Sequence, residues 1–369
     1  MAFRQAPPEG LVKFLDRYYD EVKQITDKLI NRNAYNALSD KIFALHKTKG
    51  QARSREELEA YDRLYDKELL DDDARALSYD GRRFMYAARM FYAHAVDDVK
   101  KSHDARRKLV KHIESNDDRL QANPKMYIYA LNNLLISSIQ LHNELEFHDT
   151  LAKLDALPSK LPNTSLTKDL QARVFESRYI HETDFLIKLA RYDEGVVLNE
   201  KIETLWEEME PNLDRAFAVT LCNNMMCLYF GAGQYKKALQ WLNRVLDSKD
   251  EVREDILCYA RIINLILHYE LGNQLILPYL LRSTYRFLSK RNSTLRYEQL
   301  VLDTMKKLLR VREKEELPDI FSVLRDKLIT LADDPFERII TEDLNLIAWL
   351  ESKVSGRGYA EIAAEKLPR

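Results

Sequence analysis

The side chains best placed for chemistry form a run of cations. Arg282, Arg286 and Lys290 recur every four residues in LLRSTYRFLSKR, and Arg291 stands beside the last of them. At about 100° per residue, that spacing stacks the first three along one helix face. Guanidinium and ammonium groups in a row suit carboxylates or phosphates, and arginine can take either through paired hydrogen bonds. The surrounding segment, 281–314, carries ten Lys or Arg against three Asp or Glu. Its counterpart lies at 56–80, where ten carboxylates meet three basic groups and Asp71, Asp72 and Asp73 are adjacent. Three uses of the stripe compete: a solvated face whose stems lie over apolar neighbours, a dock for an acidic peptide or protein segment, and contact with a nucleic-acid backbone aided by Tyr285, Phe287 and Tyr297. Stacking on bases needs exposed rings. Leu281, Thr284, Tyr285 and Leu288 share the apolar side of the same helix, so Tyr285 is expected in the core and nucleic acid is the weaker reading. The two charged blocks could also attract each other within the chain or between copies, screened over about 8 to 10 Å in physiological salt. Self-association is therefore a further expectation.

Other chemistries lack their residues. His94, His103 and His112 are each nine residues apart, and His142 and His148 six. Neither spacing sets two imidazoles on one face of a helix. Cys222 and Cys227, five apart, do not have the Cys-x-x-Cys spacing of zinc ligands, and there is no His-Glu-x-x-His. DDDARALSYDG does not alternate oxygen ligands as a calcium loop does. A solvated face, or carboxylates at a helix start near Ala74, explains it better. No nucleophile elbow, phosphate loop or dinucleotide fingerprint occurs, and GAG at 231–233 follows no strand. No catalytic residue, metal or cofactor is expected, and the protein is read as non-enzymatic; a dispersed site built from several helices is the one enzymatic alternative.

The elements that must position the stripe follow from composition. Only 9 Gly and 10 Pro occur in 369 residues, too few for the turns of a β-rich fold. A formal net charge of −2 argues against a generally nucleic-acid-binding chain. Three cysteines, Cys222, Cys227 and Cys258, fall in apolar runs and read as buried reduced thiols. The first residues lack the apolar core of a signal peptide, and no uninterrupted apolar run reaches the roughly 18 residues of a membrane span. A cytoplasmic protein with no membrane partner is expected.

Apolar residues recur at helical steps throughout. Leu11, Phe14, Leu15, Tyr18, Val22, Ile25, Leu29 and Ile30 predict one amphipathic helix, and Leu38, Ile42 and Leu45 a second, before a polar connection at 46–54 in which Ser54 starts the next helix. Breaks are predicted at Asn123-Pro124, around Pro158 and Pro162, at Pro211, at Gly231 to Gly233, at Gly272, at Pro318 and at Pro335. Aligning residues 144–154, 189–198, 231–242 and 270–281 reveals a period of roughly 40 to 45 residues, the sign of stacked helical hairpins.

One unit carries more than spacing. FAVTLCNNMMCLYFGAGQYKKALQWLNRVLD (217–247) resembles a tetratricopeptide repeat: Tyr229 matches the aromatic ending its first helix, Gly233 the turn glycine, Tyr235 the following aromatic and Ala238 the small residue between helices. Met225 and Leu242 are apolar substitutes at two further signature positions, whereas Met226, Val245 and Asp250 depart from the pattern. Weaker matches surround Gly195 and Gly272, and residues 253–291 most resemble uncharacterised bacterial proteins of this helical-repeat type. The resemblance implies an all-α fold, a right-handed superhelical array of antiparallel helix hairpins, with a HEAT-like array as the alternative. The expected organisation is an N-terminal helical hairpin at 1–53, the array at 54–335 and a C-terminal capping helix and tail at 336–369. The expected function is a protein- or peptide-binding scaffold, with Arg282, Arg286, Lys290 and Arg291 as candidate contacts. A regulatory or nucleic-acid-associated protein using 281–314 is the alternative.

Overall fold

The computed structural model describes residues 8–52, 54–162, 167–248, 254–290, 295–332, 334, 337, 339–342 and 344–367. The fold is all-α, and no strand forms among the described residues. The chain divides into two compact units, 1–165 and 166–369, a boundary lying inside the span expected as one array.

The first unit contains α1 (Pro8–Lys49), α2 (Arg55–Asp62), α3 (Lys67–Leu70), α4 (Tyr79–Ala95), α5 (Val99–Glu114), α6 (Asp117–Ala122), α7 (Pro124–Gln140) and α8 (Glu144–Lys160). In place of the hairpin expected at 1–53, α1 is one unbroken helix. The asparagine-rich stretch between its halves resembles a break but contains neither Gly nor Pro. Asn31 instead donates to the Arg75 carbonyl at 3.0 Å and accepts from the Leu77 amide at 3.0 Å. Tyr35, Leu38 and Ile42 then bury against the unit, and Phe43 meets Phe91 of α4 at 4.9 Å between ring centroids. Ser54 caps α2 as predicted, accepting from the Glu57 amide. Asn123 caps α7 with Pro124 in its first turn. Pro158 lies inside the last turn of α8, which ends at Lys160, so the break falls between Pro158 and Pro162 as predicted.

The second unit contains α9 (Lys168–Lys188), α10 (Tyr192–Met209), α11 (Arg215–Gly231), α12 (Tyr235–Leu246), α13 (Glu254–Glu270), α14 (Leu277–Leu288), α15 (Arg296–Leu308), α16 (Leu317–Leu331), α17 (Ile339–Glu342), α18 (Leu346–Ser355) and α19 (Tyr359–Glu365). Pro318 stands in the first turn of α16, whereas Pro335 lies outside the described residues. Most helices pack on their sequence neighbours. The core of the unit is α11, which buries Val219 and every residue from Leu221 to Gly231. Its cysteines, like Cys258, are buried and not joined in disulfides, and burial pushes Cys222 up to about 12.

A single turn geometry recurs through both units. Asp97, His142, Ala190, Gly233 and Gly272 have left-handed φ between 52° and 71°, and each ends a helix that starts its partner within a few residues. At each, the next amide reaches back five residues to a carbonyl: Asp98 to Ala93, Asn143 to Ser138, Arg191 to Leu186, Gln234 to Tyr229 and Asn273 to His268, at 2.8 to 2.9 Å. This Schellman closure satisfies carbonyls that the helix end leaves open. The hairpins therefore share a backbone solution even where their sequences share little.

The two glycines at 231 and 233 have different tasks. Gly233 takes the left-handed turn, at φ +71°. Gly231 is the last helical residue, and a β-carbon there would lie 2.1 Å from the Tyr192 ring. Tyr359 completes this contact: its ring centroid is 5.6 Å from that of Tyr192 and 5.5 Å from that of Phe230. Its hydroxyl accepts from the Asn345 amide at 3.1 Å. The C-terminal segment is further tied to α13, where Glu270 accepts from Trp349 Nε1 at 2.6 Å and pairs with Lys353 Nζ at 2.6 Å. No helix among the described residues is long and apolar enough to cross a membrane.

Candidate functional site

α14 places the predicted stripe on the surface of the second unit. Pro278 in its first turn sets φ for helix entry, and Leu277, Thr284 and Leu288 form its buried edge. Arg282, Arg286 and Lys290 all point to solvent, Lys290 from the turn just beyond the helix, and none forms an ion pair with a described residue. Arg282 does sit 5.8 Å from the centre of the Tyr279 ring, a cation–π contact on the same face. Arg291 lies outside the described residues.

Tyr285 corrects the sequence reading. It is 56 % exposed rather than buried, because one residue beyond Thr284 turns the side chain about 100° from the narrow edge that packs. Tyr279 is also exposed. Tyr297, by contrast, is buried on α15, and Phe287 is covered by Arg261, whose guanidinium carbon lies 4.1 Å from its ring centre. The aromatic set available to a ligand is therefore Tyr279 and Tyr285, of which the sequence reading named one and placed it inward.

At the start of α14, where Leu281 directly precedes Arg282, α13, α14 and α15 line a mostly apolar groove of about 300 Å³. Leu265 and Tyr269 come from α13, Pro278 and Leu281 from α14, and Met305 and Leu308 from α15. Leu275, in the turn leading into α14, stands 92 % exposed and also lines the groove. A groove of this kind is invisible to periodicity because its walls are far apart in sequence. Its volume has room for about two or three apolar side chains.

The acidic block is arranged differently. Asp73 pairs with Arg89 and accepts from Tyr86 Oη at 3.0 Å, and hydrogen bonds from these partners hold its carboxyl below the usual range against the opposing cost of burial. Asp66 and Asp72 cap helical turns, Asp71 accepts from Tyr65 Oη at 2.6 Å, and Asp62 accepts from Tyr92 Oη at 2.7 Å. These carboxylates are structural acceptors within the first unit.

The three evenly spaced histidines find three separate settings. The His94 ring lies 5.0 Å from that of His46, and His112 Nε2 is 2.9 Å from the Tyr79 carbonyl oxygen. His103 stands between Ser137 Oγ, 2.8 Å from its Nδ1, and Glu146 Oε2, 2.7 Å from its Nε2. Arg107 Nε approaches the other Glu146 oxygen at 3.0 Å. Burial lowers His103 from its ordinary range, against the pull of Glu146. A serine, an imidazole and a carboxylate in line can activate a hydroxyl. Ser137, however, is sealed from solvent, so the trio clamps α5, α7 and α8 together. Sequence reasoning missed it because the three residues belong to three helices with no shared motif. No group of three or more potential metal ligands converges among the described residues.

No family model, no curated protein and no solved structure matches the chain.

Proposed function

We propose that the protein is a scaffold of tetratricopeptide-like helical hairpins that binds an acidic, partly apolar peptide or protein segment on the α13–α15 face. The observation carrying this reading is that the exposed cations Arg282, Arg286 and Lys290 follow directly on Leu281, which lines a mostly apolar groove of about 300 Å³ at the start of α14. Cations alone describe any soluble surface, and a groove alone describes many packing defects. Together they supply both terms of peptide recognition, apolar anchoring and charge-assisted hydrogen bonds. The five equivalent turns support the repeat character, because hairpins of one geometry stack with one another.

The test is a fluorescence titration with a labelled helical peptide bearing Glu at four-residue steps and Leu between them. Reversing Arg282, Arg286 and Lys290 to Glu should weaken binding by at least about tenfold, and unchanged binding would return the three cations to an ordinary solvated face. Leu281→Glu should weaken the same peptide without altering the stripe.

A second reading is favoured by the exposure of Tyr279 and Tyr285: a nucleic-acid-associated protein that holds phosphates with the cations and stacks bases on the tyrosines. A single-stranded oligonucleotide should then be retarded at low salt, and Tyr285→Ala should weaken it by roughly 1 to 3 kcal/mol. Absence of a complex at low salt removes this reading.

A further inference from the structure

The N-terminal half of α1 is largely exposed among the described residues. Beyond Asn31 the helix is anchored on α4, yet every residue from Asp16 to Ile30 is exposed. A helix of this length alone in water is marginal, and most helical stability comes from packing an apolar face. Such a face is present. Leu11, Leu15, Tyr18, Val22, Ile25 and Leu29 alternate steps of four and three, the spacing of a coiled-coil seam. Val12 and Tyr19 flank it, with Glu21 and Lys28 on the other side. Charged residues occupy the far side at Lys13, Asp20 and Asp27.

We infer that this arm pairs with the same arm of a second copy, antiparallel, to make a dimer. Two features favour a second copy over another partner. First, the seam is self-complementary when reversed. Leu11 meets Leu29 of the second copy, Leu15 meets Ile25 and Tyr18 meets Val22, so every layer is filled in a single register, as a twofold interface requires. Second, the area is right. Val12, Tyr18, Tyr19, Val22, Ile25 and Leu29 are each between 40 % and 65 % exposed. With their neighbours they present on the order of 600 Å² of apolar surface per copy, more than a monomer usually exposes in one patch and close to what a stable interface buries. Antiparallel pairing also keeps the folded units, each attached after Asn31, at opposite ends. The register brings Glu21 beside its own counterpart, and Arg17, with Nε 3.0 Å from Glu21 Oε1, supplies the compensating charge.

Sedimentation equilibrium of the full chain tests the inference. The wild type should have twice the 43.4 kDa chain mass, and Val22→Glu with Ile25→Glu should raise the dimer dissociation constant at least about 100-fold. Asp27→Lys, on the far side, should leave the dimer intact. Because the double glutamate variant could simply lose its arm helix, disulfide trapping provides a second measurement. A mixture of Leu11→Cys and Leu29→Cys chains should cross-link between the two variants, while either alone should not; the native cysteines are buried and do not compete. A wild type that stays monomeric up to about 100 µM overturns the inference, including the case in which the arm binds lipid vesicles instead. Cross-linking of each variant with itself but not with the other overturns the antiparallel register.

Discussion

The hairpins α9–α10 and α11–α12 turn with the same backbone and with different residues. At one the left-handed position is Ala190, at the other Gly233, and both close with the same pair of amide-to-carbonyl bonds. A side chain in that conformation costs roughly 1 kcal/mol or more, and persists where surrounding packing over-determines the turn. Here the anchors are Tyr192 after the first turn, buried against Gly231, and Ala238 after the second, fully buried between α11 and α12. The difference teaches that the turn geometry is held in space by packing, while glycine marks it in the sequence at only some of the turns.

Substitutions can break or sharpen that comparison, beginning with the largest effect. Gly231→Ala should destabilise the second unit by about 2 to 3 kcal/mol in urea unfolding, because the new methyl overlaps the Tyr192 ring and neither helix can yield easily. Acid should act next, and of these two hairpins only α9–α10, which holds His181, carries a histidine through which it can act. Burial pushes His181 of α9 down to about 4, so the folded state binds fewer protons than the unfolded chain, whose histidine titrates near 6.5. Its contribution is complete above pH 6.5 and is lost as pH falls toward 4, amounting to about 2 kcal/mol by pH 5. Unfolding followed over that range should show this slope, and His181→Leu should reduce it, leaving the share of the other histidines that burial lowers, such as His268. Smaller effects belong to the turns themselves. Gly233→Ala should cost about 1 kcal/mol, whereas Ala190→Gly should raise the unfolding midpoint by a stabilisation of about 0.5 to 1 kcal/mol. Equal responses of the two turns would mean that the alanine is not strained.

These contrasts explain what could be read before the structure. Scarce glycine and proline with three- and four-residue apolar steps were sufficient for an all-α chain, and the hairpin at 217–247 was legible because Tyr229, Gly233 and Ala238 all take their expected places. The exposure of Arg282, Arg286 and Lys290 was legible as well, since their charges are costly to bury. Tyr285 was not. An amphipathic tyrosine is stable on either side of a helix edge, and the width of that edge depends on α13 and α15. The continuity of α1 was missed for a related reason: Asn31 looks like a turn residue locally but its amide is committed to the backbone at Arg75 and Leu77. The apolar groove and the Ser137–His103–Glu146 clamp required three helices each, information that no local pattern contains.

The contact of Tyr359 with Tyr192 and Phe230 bears on the order in which the second unit assembles. Hairpins of neighbouring helices close short loops and can form early, but this contact joins positions 167 residues apart. Loop-closure entropy defers such a contact until the intervening helices are in place. A late contact contributes little to the folding rate and strongly to the unfolding rate. Tyr359 thus acts as a kinetic latch: loosening it would shorten the lifetime of the folded unit far more than it would slow its formation.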